Sequence, residues 1–282
     1  MQADSLTRVL VHIQANLDED LSLDALAHVA GFSRFHFARE FARFTGETIK
    51  QYTLRLRLER AAIRLLLRDS SIIDTAIDCG FDNHETFSRA FRRHFGVAPR
   101  DYRTRGIQRA AAELAPGRTG NTANPTNLSS TKLCRLDDLH IAFLRHVGPY
   151  EEVPTTLWDD LQAWARTRRV PEPHILVGIA QDAPGVTPAS QLRFDAGIRV
   201  PPDLVTRGRI GLQTLPAATF AVTTFVGPYS ELATAYTEIM RRLVARDGIR
   251  ILGVPCLEVY QTTKLDAQHA LNHTDIHIPV EQ

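Results

Sequence analysis

The sequence has few cysteines and lacks a long apolar run. Its three cysteines, Cys79, Cys134 and Cys256, are an odd number without Cys-x-x-Cys spacing, which argues against a disulfide framework or a zinc site. A reducing, cytoplasmic location is therefore predicted. The longest apolar runs, such as residues 141–144, fall far short of the roughly 20 residues that cross a bilayer, so no membrane partner is expected.

Motifs of nucleotide binding and of hydrolysis are missing as well. The sequence contains none of the patterns GxxxxGK(S/T), GxSxG and HExxH, so we predict no cofactor and no catalytic residue from a motif. His269, His273 and His277 recur at every fourth residue, a spacing that could hold a metal on one helix. Asn272 and Thr274 argue against a continuous helix there, and no carboxylate or cysteine partner is spaced for zinc, so no metal site is expected.

The formal net charge of +1 hides an uneven distribution of charge along the chain. Residues 34–68 carry nine Lys and Arg against three acidic residues, and residues 89–105 carry six Arg against one Asp. Residues 133–282 carry 14 basic and 17 acidic residues. This asymmetry favours a polyanion partner for the N-terminal part alone, although ordinary solvated helix faces would give the same bias.

A stretch of the N-terminal part occurs twice, with a period near fifty residues. Gly31-Phe32 corresponds to Gly80-Phe81, and Tyr52 corresponds to Tyr102. Five further positions agree, namely Phe37, Arg39, Phe41, Arg43 and Gly46 with Phe87, Arg89, Phe91, Arg93 and Gly96. Each copy has an apolar helical pattern, a glycine turn and a second helical pattern, which together predict two helix-turn-helix units.

Capping residues predict where the helices of both copies begin. Ser22 and Ser71 are suited to cap the first helix of each unit, and Ser33 and Asp82 are expected to cap the second. The second helices should turn their phenylalanines into the core, namely Phe37, Phe41 and Phe44 in one copy and Phe87, Phe91 and Phe95 in the other. Pro99 should open a last short helix that runs through Tyr102.

A long helix is predicted to connect the two units. Thr48-x-x-Gln51 forms a capping box, and the apolar pattern continues to about Arg68. At 1.5 Å per residue, ~22 residues span roughly 33 Å. One turn of B-DNA is roughly 34–36 Å long, so this helix could hold two recognition helices in successive major grooves.

Residues 5–105 resemble the AraC/XylS family of bacterial transcription regulators. The resemblance rests on Gly80-Phe-x-Asn-x-x-x-Phe-Ser-Arg-Ala-Phe-x-x-x-Phe-Gly-x-x-Pro-x-x-Tyr-Arg103. It implies an all-α, double helix-turn-helix domain over residues 1–106. The implied partner is double-stranded DNA, at a promoter site spanning two adjacent major grooves, with RNA polymerase as a further candidate partner.

The resemblance also implies which side chains contact DNA. They lie on the exposed faces of the two recognition helices, namely Arg34, Phe35, Ala38, Arg39 and Arg43 in the first copy and Asn83, His84, Glu85, Thr86, Arg89 and Arg93 in the second. Arg can bind guanine, Asn adenine and Glu cytosine, whereas Thr or Phe can contact the thymine methyl group. Arg43 and Arg93 are expected at phosphates. Ala38 departs from the polar residue of many members, so weaker specificity is expected in the first copy.

The C-terminal half is separated by a linker and is itself repeated. Residues 115–132 are rich in Gly, Pro, Ser, Thr and Asn, and we predict a linker over residues 107–132. His146-Val-Gly-Pro-Tyr150 corresponds to Phe225-Val-Gly-Pro-Tyr229, each between a strand pattern and a helix pattern. The chain is thus predicted to be multidomain, with an α+β domain of duplicated β-α-β-β units over residues 133–282.

This second half resembles the GyrI-like small-molecule-binding domain. The resemblance rests on the two Val-Gly-Pro-Tyr turns, Leu257-Glu-Val-Tyr260 and the closing Asp275-Ile-His-Ile-Pro279. The order of the two domains resembles the Rob type of AraC regulator. In related domains a glutamate lies in the ligand cleft between the repeats and pairs with cationic drugs, and the matching residue here is Glu258.

The residues themselves are consistent with such a cleft. Strand alternation places Cys256, Glu258 and Tyr260 on one face. A carboxylate between aromatic walls attracts a small, hydrophobic cation. The candidate walls are Tyr150, Trp158, Trp164, Phe194, Tyr229 and Tyr236, with Tyr260 beside the carboxylate.

Two alternatives for the C-terminal half stay open. It could be a protein-interaction module without a ligand, with its aromatic residues in the core and Glu258 at an exposed edge. It could also be a small-molecule hydrolase, with Glu258 and either Tyr260 or Tyr150 as base and acid. A DNA-binding domain on the same chain favours sensing over catalysis, so we do not expect an enzyme.

Overall fold

The computed structural model describes residues 2–67, 70–114, 127–206, 208–246, 248–253, 255–261 and 272–281. They fall into two compact units, the first made of helices and the second built on one sheet. Within these residues, no helix has the length and apolar character that crossing a membrane requires.

The first unit contains the two predicted helix-turn-helix units. Its helices are α1 (Gln2–Ala15), α2 (Leu23–Ala30), α3 (Arg34–Thr45), α4 (Ile49–Leu67), α5 (Ile72–Asp78), α6 (His84–Phe95) and α7 (Pro99–Leu114). The pairs α2–α3 and α5–α6 are the two units, and α4 connects them. Gly31 and Gly80 lie in their turns with φ of 70° and 78°, a conformation that glycine adopts at no steric cost.

The connecting helix α4 begins as predicted and is described as far as Leu67. Thr48 N donates to Gln51 Oε1 at 2.9 Å, and Gln51 N donates to Thr48 Oγ1 at 3.3 Å, which is the predicted capping box. The helix has 19 residues. This described part is therefore about 28 Å long. Arg68, where the sequence predicted its end, lies outside the described residues.

Three local predictions in this unit are wrong. Phe44 lies in the last turn of α3 and is 52% exposed instead of facing the core. The N-cap of α6 is Asn83 rather than Asp82, because the extended backbone at Asn83 lets its side chain accept from Thr86 N at 2.8 Å. The helix that begins at Pro99 continues beyond Tyr102 to Leu114, into the predicted linker. The domain boundaries stay a prediction.

The duplicated sequence produces duplicated packing. Phe37, Phe41, Phe87 and Phe91 are fully buried, as predicted, whereas Phe95 is only partly buried. Phe41 meets Tyr52 edge to face with ring centroids 5.4 Å apart. Phe91 meets Tyr102 in the same manner at 5.3 Å. Each recognition helix is therefore fixed from behind by the same aromatic pair.

The second unit contains one sheet of nine strands in its described part. Its elements are β1 (Lys132–Leu136), β2 (Leu139–Val147), α8 (Thr156–Thr167), β3 (Leu176–Ala180), β4 (Arg193–Arg199), β5 (Gly211–Leu215), β6 (Ala218–Val226), α9 (Leu232–Val244), β7 (Arg250–Ile251), β8 (Cys256–Tyr260) and β9 (His273–Glu281). The predicted β-α-β-β order is present in both halves, but in the second half the strand predicted over residues 251–260 is divided into β7 and β8. Each half also has one strand in front, β1 or β5, that the sequence analysis missed.

The strand order relates the two halves by an approximate two-fold axis. The order β1-β6-β9-β8-β3-β4-β2-β5 places equivalent strands at equal distances from the centre. There β3 and β8 pair antiparallel, with Gly178 opposite Glu258. A side-chain pair is repeated as well, because Gln181 Nε2 donates to Asp195 Oδ2 at 2.7 Å and Gln261 Nε2 donates to Asp275 Oδ2 at 2.6 Å.

Candidate functional sites

The outer face of α3 presents an aromatic ring and several arginines. Phe35 is 86% exposed, and Arg34 and Arg39 are exposed beside it. Both arginines make only loose ion pairs in this structure. Arg34 Nε lies 3.6 Å from Asp24 Oδ1, and Arg39 Nε lies 3.8 Å from Glu40 Oε1. Exposed pairs of this kind contribute little to stability, so both guanidinium groups can exchange partners at small cost.

The outer face of α6 is more polar than that of α3. His84, Glu85, Thr86 and Arg89 are all exposed. Arg89 Nη1 lies 3.3 Å from Glu85 Oε1 on the solvent side of the helix. Asn83 is exposed too, and its Oδ1 already caps the helix. Bidentate recognition of adenine uses both the oxygen and the nitrogen of an asparagine amide, and the Asn83 oxygen already accepts one hydrogen bond.

The remaining predicted DNA contacts differ in exposure. Arg43 and Arg93 occupy equivalent positions near the ends of α3 and α6, and both are exposed. Arg43 Nη2 lies 3.5 Å from Glu40 Oε2. Ala38 is partly buried, and its methyl group offers no hydrogen bond to a base.

The arginines of α4 do not belong to these surfaces, although the charge count of the sequence includes them. Each has a partner inside the helical unit. Three of them pair with carboxylates, namely Arg55 with Glu47 and Glu59, Arg60 with Asp18, and Arg64 with Asp78. Arg57 donates to the carbonyl groups of Leu17 and Glu19. The basic excess of residues 34–68 therefore overstates the charge that this unit offers to a polyanion.

Glu258 is the buried carboxylate of the second unit. It lies on β8, between β3 and β9, and is 5% exposed, so the alternative of an exposed edge residue is wrong. Its Oε1 accepts from Tyr236 Oη at 3.1 Å, and its Oε2 accepts from Tyr260 Oη at 2.5 Å. Burial raises the pKa of Glu258, and these two hydrogen bonds partly oppose that shift. Burial likewise raises the pKa of the neighbouring Cys256 thiol to about 12.

A chain of edge-to-face aromatic contacts begins at Tyr260. Ring centroids lie 5.1 Å apart for Trp158 and Tyr260, 5.6 Å for Tyr229 and Tyr260, 6.5 Å for Trp158 and Phe194, and 5.9 Å for Tyr150 and Phe194. Five predicted ligand residues are thus brought together, and such contacts add to the stability from burial alone.

Trp164 and Tyr236, the other two candidate wall residues, are not among the members of this chain of aromatic contacts. Trp164 follows Trp158 by six residues on α8, which turns it by roughly 120° onto another face of the helix. Tyr236 was considered only as part of a wall, yet it donates directly to Glu258. The sequence could not indicate this contact, because the relative rotation of α9 and β8 is set by packing.

Gly178 is a residue of this site that the sequence analysis missed. A Cβ atom at this position would lie 2.5 Å from Tyr260 Oη and 2.6 Å from Phe194 Cζ. Tyr260 and Phe194 can occupy their positions because the residue at 178 has no Cβ atom. A lone glycine within the apolar strand Leu176-Val-Gly-Ile-Ala180 was the available signal, since such a glycine often marks a close approach.

The histidine spacing does not bring a metal site together in the described residues. His273 and His277 both lie on β9, four residues apart, so about 13 Å separates them along the strand. His277 Nδ1 lies 3.0 Å from the carbonyl oxygen of Asp275, and burial lowers the pKa of this imidazole. His269 lies outside the described residues.

Comparison with known proteins gives matches in both units. The GyrI-like small molecule binding domain matches residues 130–281, and a helix-turn-helix domain matches residues 26–105. The chain is 30% identical over 190 residues to the transcriptional regulator Rob of Salmonella typhimurium, covering 66% of this chain and 64% of that protein. It is 38% identical over 93 residues to the regulatory protein SoxS of the same organism, covering 33% of this chain and 87% of that protein.

A solved structure is similar to part of the chain. It is a transcriptional regulator with an AraC-type DNA-binding domain from Chromobacterium violaceum, 36% identical, covering 37% of this chain and 93% of that chain with a TM-score of 0.35. The match to Rob spans a little less than two thirds of that relative's length. The GyrI-like match, by contrast, covers more than half of this chain. The chain therefore belongs to the GyrI-like small-molecule-binding domain family, with an AraC-type helix-turn-helix domain before that domain, as the sequence predicted.

Proposed function

We propose that the protein is a sequence-specific DNA-binding transcription regulator. The observation that carries this proposal is the pair of exposed recognition helices, α3 and α6, each fixed from behind by the same aromatic pair. Their outer faces bear side chains with the chemistry of base recognition, whereas the arginines of α4 are used internally. The relatives named above are a transcriptional regulator and a regulatory protein, which supports the same conclusion.

The exposed side chains divide between base contacts and phosphate contacts. Arg39 and Arg89 occupy equivalent positions and can each bind guanine through a bidentate pair. Phe35 can contact a thymine methyl group, because its ring is almost fully exposed. Arg43 and Arg93 suit phosphates, which fix the orientation of the protein without specifying sequence.

In this role residues 1–106 bind DNA, residues 133–282 bind the effector and residues 107–132 connect the two. The protein then acts in the cytoplasm at a promoter, where RNA polymerase is a further partner. Two recognition helices on one chain allow a single protein to bind an asymmetric site.

Selection of duplexes from a random pool tests DNA binding directly. The full-length protein should enrich one bipartite sequence whose two halves lie in adjacent major grooves. Affinity for the selected duplex should fall steeply with salt concentration, since neutralised phosphates release counterions. Failure to enrich any sequence at low salt would refute the proposal.

We also propose that the second unit binds a small hydrophobic cation at Glu258. Among the residues that the structure describes, the side chains that donate to this buried carboxylate are the neutral hydroxyl groups of Tyr236 and Tyr260. A buried charge is costly unless it is paired, and a bound cation among aromatic rings would pair with this carboxylate. Hydrolysis is less well supported, because both oxygens of the would-be base already accept hydrogen bonds from tyrosines whose pKa values burial raises.

Titration with rhodamine-type and quaternary-ammonium dyes tests this second proposal. Binding should quench tryptophan fluorescence, because Trp158 contacts Tyr260 beside the carboxylate. Neutral analogues of the same dyes serve as the control and should bind more weakly. Absence of both a fluorescence change and a thermal shift across the panel would favour the protein-interaction alternative.

A further inference from the structure

Arg57 makes two strong contacts from the middle of α4 to the segment that leads into the first helix-turn-helix unit. Its Nε donates to the carbonyl oxygen of Leu17 at 2.7 Å, and its Nη2 donates to the carbonyl oxygen of Glu19 at 2.7 Å. Both acceptors lie in the segment between α1 and α2. The planar guanidinium group presents its donors in a fixed fork, so the two bonds determine the orientation of this segment relative to α4.

The same guanidinium group also contacts the second helix-turn-helix unit. Gly80 lies in the turn between α5 and α6, and a Cβ atom there would be 2.8 Å from Arg57 Cζ. That Cβ atom would also be 2.6 Å from the carbonyl oxygen of Leu17. The turn of the second unit therefore packs directly on Arg57 and on one of its acceptors. A single side chain joins three segments that are distant in sequence.

The length of α4 does not by itself explain how the two recognition helices are held. The described part of the helix is about 28 Å long, shorter than the turn of DNA that two adjacent grooves span. A turn joins α3 to α4, whereas α5 lies between α4 and α6, so lateral contacts must fix the directions of both recognition helices. Arg57 and Gly80 supply such a contact at the place where the segment that leads into α2 and the turn of the second unit meet α4.

We propose that Arg57 is a positioning residue that locks the two helix-turn-helix units into one relative orientation, so that α3 and α6 bind the two halves of a DNA site together. This inference rests on the proposed DNA binding. When two binding elements are held at the correct spacing, the second binds at a high effective concentration, and that gain is lost when the geometry loosens. Arg57 itself needs no contact with DNA.

The variant Arg57→Gln tests this role, and Arg60→Gln is its matched control. Both variants remove one positive charge from α4. Arg60 Nη1, however, makes a loose ion pair with Asp18 Oδ1 at 3.7 Å, whereas Arg57 bonds with the carbonyl oxygens of Leu17 and Glu19. The probes are the duplex selected by the wild-type protein and two duplexes in which one half is scrambled. Arg57→Gln should lose about tenfold affinity or more for the complete duplex and less than about threefold for either half alone. Arg60→Gln should cause a similar small loss on all three.

The proposal would be overturned if Arg57→Gln lost affinity equally for the complete duplex and for the half-scrambled duplexes. It would also be overturned if Arg60→Gln lost affinity in the same pattern as that expected for Arg57→Gln. Thermal unfolding of each variant shows whether it is folded before the affinities are compared. A protein that selects no duplex would refute the proposed function instead, which separates the two failures.

A distance measurement without DNA tests the same inference independently. Spin labels at Arg43→Cys and Arg93→Cys report on α3 and α6, in a background with the exposed Cys134 replaced by Ser. The distribution of distances between the labels should broaden in Arg57→Gln and stay narrow in Arg60→Gln. An unchanged distribution in the folded Arg57→Gln variant would overturn the proposal whatever the result with DNA.

Discussion

Gly178 lies directly opposite Glu258 in the pairing of β3 with β8, on the axis that relates the two halves of the domain. The missing Cβ of Gly178 leaves space for the Tyr260 hydroxyl group, which donates to Glu258. The two equivalent positions of the repeat therefore have different and complementary roles. One provides the carboxylate, and the other provides the room in which that carboxylate is hydrogen-bonded.

Gly178→Ala should displace Tyr260 and Phe194, because the new methyl group would lie 2.5 Å from Tyr260 Oη and 2.6 Å from Phe194 Cζ. We expect a loss of about 1–3 kcal/mol in the free energy of unfolding, as for overpacking of a core, together with weaker dye binding. Urea denaturation measures the first effect. Adding Tyr260→Phe removes the hydroxyl oxygen nearest to the new methyl group, so the double variant should be less destabilised than the sum of the two single changes.

Glu258→Gln should weaken binding of a cationic dye while the neutral analogue is unaffected. The amide keeps the shape of the side chain but removes its negative charge. A hydrogen bond to a charged group contributes roughly 1.5–3 kcal/mol to the free energy of an interaction. We therefore expect at least about tenfold weaker binding in a fluorescence titration. Glu238→Gln, on the adjacent helix α9 and paired with Arg241 and Arg242, is the control and should bind like the wild type. Equal affinity of Glu258→Gln and the wild type would remove Glu258 from the site.

The stability of the C-terminal domain should depend on pH through Glu258. Its pKa is raised above the ordinary value of 4.5 by burial, so the folded state holds this proton more tightly than the unfolded state does. The contribution of the protonated group is fully present below the unfolded pKa and is lost as pH rises through the folded pKa. Relative to Glu258→Gln, the wild type should lose stability over that window in urea titrations. A cationic dye should bind more tightly as pH rises through the same window.

Arg89→Ala and Arg93→Ala should affect DNA binding differently, although both lie on α6. Arg89 is expected at a base, so its loss should cost about 1–3 kcal/mol and relax specificity at one base pair. Arg93 is expected at a phosphate, so its loss should weaken binding to all sequences alike and reduce the salt slope by about 1. Competition among single-base variants of the selected duplex distinguishes the two patterns. Relaxed specificity in Arg93→Ala would exchange the two assignments.

The helical domain could be predicted from its sequence where local signals determine the structure. Gly31 and Gly80 occur where a positive φ is needed, and the Thr48–Gln51 capping box acts over three residues. The bonds from Arg57 to Leu17 and Glu19 join residues about forty positions apart, with backbone acceptors that carry no sequence signal. For that reason a side chain that holds the domain together was counted among the charges available to DNA.

The second domain shows the same division between local and distant signals. The Val-Gly-Pro-Tyr turns and Glu258 could be found by comparing the two halves with each other. Strands β1 and β5 could not, because each has five residues and pairs outside its own half. The hydrogen bond from Tyr236 to Glu258 likewise depends on how a helix packs on the sheet.

The first strand of each half pairs with the other half, and this arrangement affects how the domain unfolds. Strand β1 pairs with β6, and β5 lies beside β2, so each half completes the sheet of the other. Losing either half would leave the remaining one with an uncovered edge and without its outer strand. The two halves should therefore melt in a single cooperative transition, and a half expressed alone should recover its missing strand by pairing with a second copy of itself.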